Sequence, residues 1–129
     1  MATSPTQRTI KFLKDNGCIP GIVERFNQYA GPFGVRQDLF GFIDIISIDP
    51  IHGIVAIQSC GQGFSVHIRK MTEDRNEAMY EWLKHAKVQL IGWRKVKLKR
   101  GSKATRWKPR IVHFWLAGEN EEIKWKEIK

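Results

Sequence analysis

A chain of 129 residues with a formal net charge of +9 is long enough for one hydrophobic core and carries a marked cationic excess. No run of about 18 apolar residues occurs, which excludes a membrane-spanning helix, and Met1-Ala2-Thr3-Ser4-Pro5 opens a polar segment without a secretory apolar stretch. Two cysteines, Cys18 and Cys60, are too few for a disulfide framework and lack metal-ligand spacing; a reduced, cytoplasmic setting is expected.

The excess of Lys and Arg implies a polyanionic partner, nucleic acid first. A membrane surface is not expected, because no basic amphipathic helix with an aromatic apolar face stands out.

In chain order, residues 6–16 read as a short amphipathic helix, with Ile10, Phe12 and Leu13 as its apolar face. Ser4 or Thr6 caps it and Gly17 stops it. Residues 18–29 read as a strand built on Ile19, Ile22, Val23 and Phe26, with Glu24 inside it, followed by a loop at 30–34. Residues 36–60 then read as a central hairpin. Its first strand, 40–48, is rich in Ile and Phe and holds one carboxylate, Asp44. Asp49-Pro50-Ile51-His52-Gly53 is the turn, since Pro fixes φ and Gly tolerates positive φ. The second strand, 54–57, is a short buried apolar run that ends in Gln58-Ser59-Cys60-Gly61-Gln62-Gly63.

A helix is expected next, with Thr72 as its N-cap, Glu73 and Asp74 at the positive end of its dipole, and Ala78, Met79, Trp82, Leu83 and Ala86 as its apolar stripe. Residues 88–93 read as another strand. Between 94 and 110 stand nine cations and no acid: Arg94, Lys95, Lys97, Lys99, Arg100, Lys103, Arg106, Lys108 and Arg110. Arg100-Gly101-Ser102-Lys103 is a turn signal, so the stretch reads as a basic β-hairpin. Its charges suit phosphates, and Trp93 and Trp107 offer rings for stacking or for packing. Residues 111–116 close the sheet, and the tail is a last strand, a docked helix or a partly mobile segment. The expected architecture is α/β or α+β, a mixed central β-sheet flanked by helices, in one domain spanning 1–129.

Asp44 is the residue on which chemistry is expected, because a carboxylate among apolar neighbours is costly unless it meets a cation or donors. Asp38 precedes it by six residues, which puts both on one side of a regular strand; Asp38 either joins Asp44 as an acidic pair or caps the turn. Glu24 either completes an acidic cluster or pairs with Arg25 or Arg36. Gln58 lies across one hairpin turn from Asp44, where the two stand side by side on adjacent strands. Ser59, Ser65 and His67 offer further donors, with no third group to orient a Ser-His pair.

The order of elements, with Ile43-Asp44-Ile45 on the second strand and Gln58-Ser59-Cys60 at the end of the third, resembles the PD-(D/E)XK nuclease superfamily. Within it the nearest likeness is to small Holliday-junction-resolvase-like and phage-type nucleases. The resemblance covers about residues 6–93, and the basic hairpin and tail, 94–129, look like an addition. It implies a restriction-endonuclease-like αβββαβ core and metal-dependent hydrolysis of phosphodiester bonds in DNA, branched or structured DNA included, by a homodimer using Mg²⁺ or Mn²⁺. Asp44 and Gln58 are then the metal ligands, with Asp38, Glu24 and Lys70 completing the catalytic set. Arg36 and Arg69 join the hairpin residues as phosphate contacts. Two positions depart from the family pattern: Gln58 stands where an acid is usual, and Cys60 stands where the lysine falls. Lys70, or more distantly Lys11, would supply that lysine from elsewhere. The same departures define the alternative, a catalytically inactive nucleic-acid-binding protein on a nuclease-like scaffold.

Overall fold

The computed structural model describes residues 4–29, 31–73, 76–101 and 103–128, except for the side chain of Arg36. The fold is α+β: a mixed six-stranded sheet with three helices. The elements are α1 (Pro5–Asp15), β1 (Ile19–Ile22), β2 (Arg25–Asn27), β3 (Val35–Gln37), β4 (Ile45–Asp49), β5 (Gly53–Cys60), α2 (Phe64–Glu73), α3 (Glu77–Leu83), β6 (Lys87–Lys97), β7 (Thr105–Ala117) and β8 (Glu122–Ile128). The large sheet runs β1-β4-β5-β6-β7-β8, and β2 pairs with β3 as a separate two-stranded ribbon. Only the β5–β6 pairing in the large sheet is parallel, because a helical crossover separates those two strands.

α1 forms where expected. The Ser4 hydroxyl accepts from the Gln7 amide at 3.2 Å, Pro5 opens the first turn, and Gly17 takes φ +81° past the end. It lays Leu13, Ile10 and Phe12 on one sheet face, against Ile45, Val55, Ile57, Ile91 and Trp93. The other face carries α2 and α3, through Phe64, Ile68, Met71 and Met79 packed on Ala56, Leu90, Val112 and Phe114. Buried fully, each of Ile43, Ile45 and Ile57 contributes roughly 1.5–3 kcal/mol of transfer free energy.

Gly92 on β6 fixes how close α2 approaches the sheet. A Cβ there would lie 2.4 Å from a Phe64 ring carbon and 3.4 Å from the Cys60 sulfur.

Several expectations are corrected. Residues 18–29 hold two short strands with Val23 and Glu24 between them, because the amides of both turn to the Asp44 carbonyl, at 2.9 and 3.3 Å. Residues 40–44 are not strand. Leu39 and Ile43 bridge each other across a tight turn in which Phe40 (φ +56°) and Gly41 (φ +80°) are left-handed. Conversely, β5 extends to Cys60, so Gln58 and Ser59 are buried strand residues rather than loop.

The helix expected from Thr72 is two helices. Phe64, Ile68 and Met71 already supply an apolar face four and three residues apart, so α2 begins before His67. The Thr72 hydroxyl donates back to the Ile68 carbonyl at 2.9 Å and caps nothing, and Glu73 ends α2 instead of starting a helix. The cap of α3 is Asn76, whose side-chain oxygen accepts from the Ala78 and Met79 amides. Asp74, expected in that first turn, lies outside the described residues.

The basic hairpin is present as β6–β7, in register from Val88↔Phe114 to Lys97↔Thr105, and the tail is strand β8.

Candidate metal centre

Asp44 sits at the entry to β4, where the turn at 39–43 delivers it against β5. Its amide donates to the Ile57 carbonyl at 2.9 Å, and its own carbonyl accepts from Val23 and Glu24. The side chain is 4% exposed. Three donors converge on its Oδ2: the Ser59 amide at 2.9 Å, the Gln58 Nε2 at 3.0 Å and the Ser59 hydroxyl at 3.3 Å. Asp44 and Gln58 thus stand side by side on neighbouring chain segments.

Two further carboxylates reach the same place. Each of Glu24, Asp38 and Asp44 offers an oxygen, and the three oxygens lie within 4.8 Å of one another. Glu24 is brought in by the amide pairing with Asp44 and Asp38 by the turn that follows it. The six-residue strand spacing read for Asp38 and Asp44 is therefore not what unites them. Burial, a hydrogen bond with Asp38 and the charges of Asp38 and Glu24 push the Asp44 carboxyl up to about 8, against the opposing Ser59 amide. Carboxylates this close cannot all ionise in a low-dielectric setting, so the cluster holds a proton at neutral pH or exchanges it for a cation. Hard oxygen donors of this kind suit Mg²⁺ or Mn²⁺.

Asp38 and Gln58 border a cleft of about 470 Å³, whose other polar lining is His67, Lys70, Asn76 and Glu77 over a floor of Phe42, Met71 and Met79. Lys70 is exposed on α2 and faces this cleft, while Lys11 is ion-paired with Asp15 on α1 at 2.9 Å. Gln58 presents its nitrogen to Asp44, so its oxygen would reach a shared cation only after the amide turns over. Cys60 is buried and its thiol is pushed up to about 11 by burial and by the Asp44 charge, with Arg110 opposing. It is a neutral packing group and carries no lysine-like charge.

Ser59 and His67 belong to the site, although the sequence marks them only as generic donors. A hydroxyl between Gln58 and Cys60 gives no signal by itself. The pair His67 and Lys70, three apart on a helix and so on one side of it, is the clue that would have placed His67 there.

The cations fall in three groups. Lys99, Arg100 and Lys103 are exposed at the β6–β7 turn, and Lys95 and Lys97 alternate along β6 with Arg94. Arg94 stands directly opposite Lys108, and Arg106 opposite Val96. Since Gln58 pairs with Leu90 and side chains alternate, Arg94 and Lys108 emerge on the sheet face that bears Gln58. Arg69 is exposed on α2; the Arg36 side chain lies outside the described residues.

Trp93 is core: its indole N–H donates to the buried Thr9 hydroxyl at 2.9 Å and its ring meets Phe12 edge-on. Trp107 is covered by the Arg8 guanidinium at 3.8 Å and approached by the Lys95 ammonium.

Compared with protein-family models, with curated proteins and with solved structures, the chain finds no match.

Proposed function

We propose that the protein is a metal-dependent nuclease that hydrolyses phosphodiester bonds in DNA, with Glu24, Asp38 and Asp44 as the residues that would hold Mg²⁺ or Mn²⁺. The observation that carries this reading is the convergence of those three carboxylates, of which Asp38 lines a cleft, on a fold whose sheet also extends a cation-rich ribbon. A bound divalent ion supplies charge to polarise the phosphate and to acidify a water.

The chain's own groups do the rest. Ser59 and Gln58 fix the orientation of Asp44 by donating to a single oxygen. To hold such a cation Asp44 would have to give up its proton. Lys70 faces the cleft and brings positive charge to the non-bridging oxygens. The β6–β7 cations hold the remaining backbone.

The test is incubation of supercoiled, linear and four-way-junction DNA with Mg²⁺ or Mn²⁺, comparing wild type with Asp44→Ala. Cleavage of at least one substrate by wild type, reduced at least 100-fold in the variant, is the expected result.

A second reading, a catalytically silent nucleic-acid-binding protein, is favoured by one observation: the positions where the resembled family has an acid and a lysine hold an amide facing its nitrogen to Asp44 and a buried neutral thiol. Binding without cleavage on all three substrates selects it.

A further inference from the structure

We infer that His67 is the proton acceptor of the cleft, taking the proton of the attacking water in phosphodiester hydrolysis; this rests on the nuclease reading above. His67 stands half-buried in the first half of α2 and lines the cleft together with Asp38 and Gln58. Its Nδ1 lies 2.9 Å from the Gly63 carbonyl oxygen. A carbonyl only accepts, so Nδ1 carries the hydrogen in that bond, and the neutral ring keeps its lone pair on Nε2. The backbone thereby fixes both the tautomer and the ring, which is the arrangement a general base requires.

The other basic or nucleophilic candidates are poorly suited. Cys60 is buried on the sheet with its thiol pushed up to about 11. Lys70, one turn further along α2, presents an ammonium, which has three donors and no lone pair. A lysine there suits the phosphate and an imidazole suits the water. The remaining charged groups lining the cleft are Asp38 and Glu77, both acidic.

The step balances as follows. The water oxygen forms a new bond to phosphorus while one of its protons passes to His67 Nε2. The electron pair of the breaking P–O bond leaves with the departing oxygen, which is protonated from solvent. The imidazolium then returns its proton to solvent.

The experiment uses the full chain, saturating Mg²⁺ so that Asp44 carries no proton, and whichever DNA wild type cleaves. His67→Gln can still donate to Gly63, and His67→Ala leaves space for a free base. The expected result for both is a single-turnover rate lower by roughly 100-fold, with DNA binding within twofold of wild type and the acid limb of the pH–rate profile lost. Added imidazole should restore His67→Ala at least tenfold and leave Asp44→Ala dead, a rescue that a purely structural role would not give. Rates for His67→Gln within threefold of wild type with the acid limb intact, or transfer of that limb's loss to Lys70→Ala, overturn the inference and leave the nuclease reading standing. If wild type cleaves nothing, the nuclease reading falls and this inference falls with it.

Discussion

Asp44 holds its proton well above the usual carboxylate range, from 3.8 to about 8, chiefly because it is buried, with Asp38 and Glu24 adding to the effect. The unfolded chain gives up that proton near pH 4, so between about pH 4 and 8 the folded state binds more protons than the unfolded one. Folding stability therefore falls as pH rises through this window and levels off above it. With a chelator present, wild type should be about 2–4 kcal/mol less stable at pH 8.5 than at pH 5, less than the full linkage of about 1.4 kcal/mol per pH unit because Asp38 and Glu24 share the load. Asp44→Asn keeps an acceptor for Ser59 and Gln58 and has no charge to lose. Its denaturation midpoint should vary much less over the same range and exceed that of wild type at pH 8.5. Excess Mg²⁺ at pH 8.5 should raise the wild-type midpoint and leave that of Asp44→Asn unmoved. An unaltered wild-type midpoint with metal would count against the carboxylate cluster as a cation site.

At the scale of elements, the centre depends on α1 and α2 being seated on opposite faces of one sheet. Thr9 is fully buried on α1, donates to the Pro5 carbonyl at 2.9 Å and accepts from Trp93 on β6. Thr9→Val keeps the shape and strands a buried indole N–H, so it should cost about 1–3 kcal/mol in urea denaturation. Gly92→Ala presses on Phe64 from the other side and should cost a further 1–3 kcal/mol, as overpacking does, with α2 and its His67 and Lys70 displaced. The same elements show what could be read in advance. The cap and stop of α1, the Asp49–Gly53 turn and the basic hairpin were legible because each is a local signal: a hydroxyl before Pro5, a Pro-x-x-Gly turn, and a glycine between alternating runs. The start of α2 was hidden, since Gly61 and Gly63 read as loop while its apolar face is shared with a strand two elements away. The strand assigned to 40–44 failed because Phe40 takes a left-handed φ that nothing in an Ile- and Phe-rich run announces; the Asn76 side chain donates to its carbonyl at 3.0 Å. Asp44 and Gln58 could be paired from the hairpin alone. The meeting of Glu24 and Asp38 with them could be named only as one alternative, because it depends on a backbone turn and an amide pairing that leave no periodicity.

For the whole molecule, the decisive feature is where its charge is placed. The +9 excess is not spread evenly: nine cations and no acid lie between residues 94 and 110, on strands that extend from the same sheet as the acidic cluster. Arg110 is offset by Glu127, which it meets through two hydrogen bonds at 2.8 and 3.2 Å. Arg94 and Lys108, directly opposite each other on adjacent strands, are not offset in this way by their cross-strand partner. Like charges so placed destabilise a ladder by roughly 0.2–1 kcal/mol, a cost that the polyanion of the proposed function would offset. The double variant Arg94→Gln/Lys108→Gln should accordingly be slightly more stable than wild type at low salt when free of DNA, and should bind DNA more weakly. Removing one cation from a phosphate flattens the dependence of log K on log salt by about 0.9. The slope should therefore drop by roughly 2 in this variant, while the Mg²⁺-induced rise in midpoint at pH 8.5 persists because Asp44 is untouched. Lys95→Gln/Lys97→Gln, both on the opposite face, should leave more of the salt slope in place. Equal slopes in the two double variants would mean that the ribbon acts only as a diffuse charge, with no preferred face turned toward the cleft.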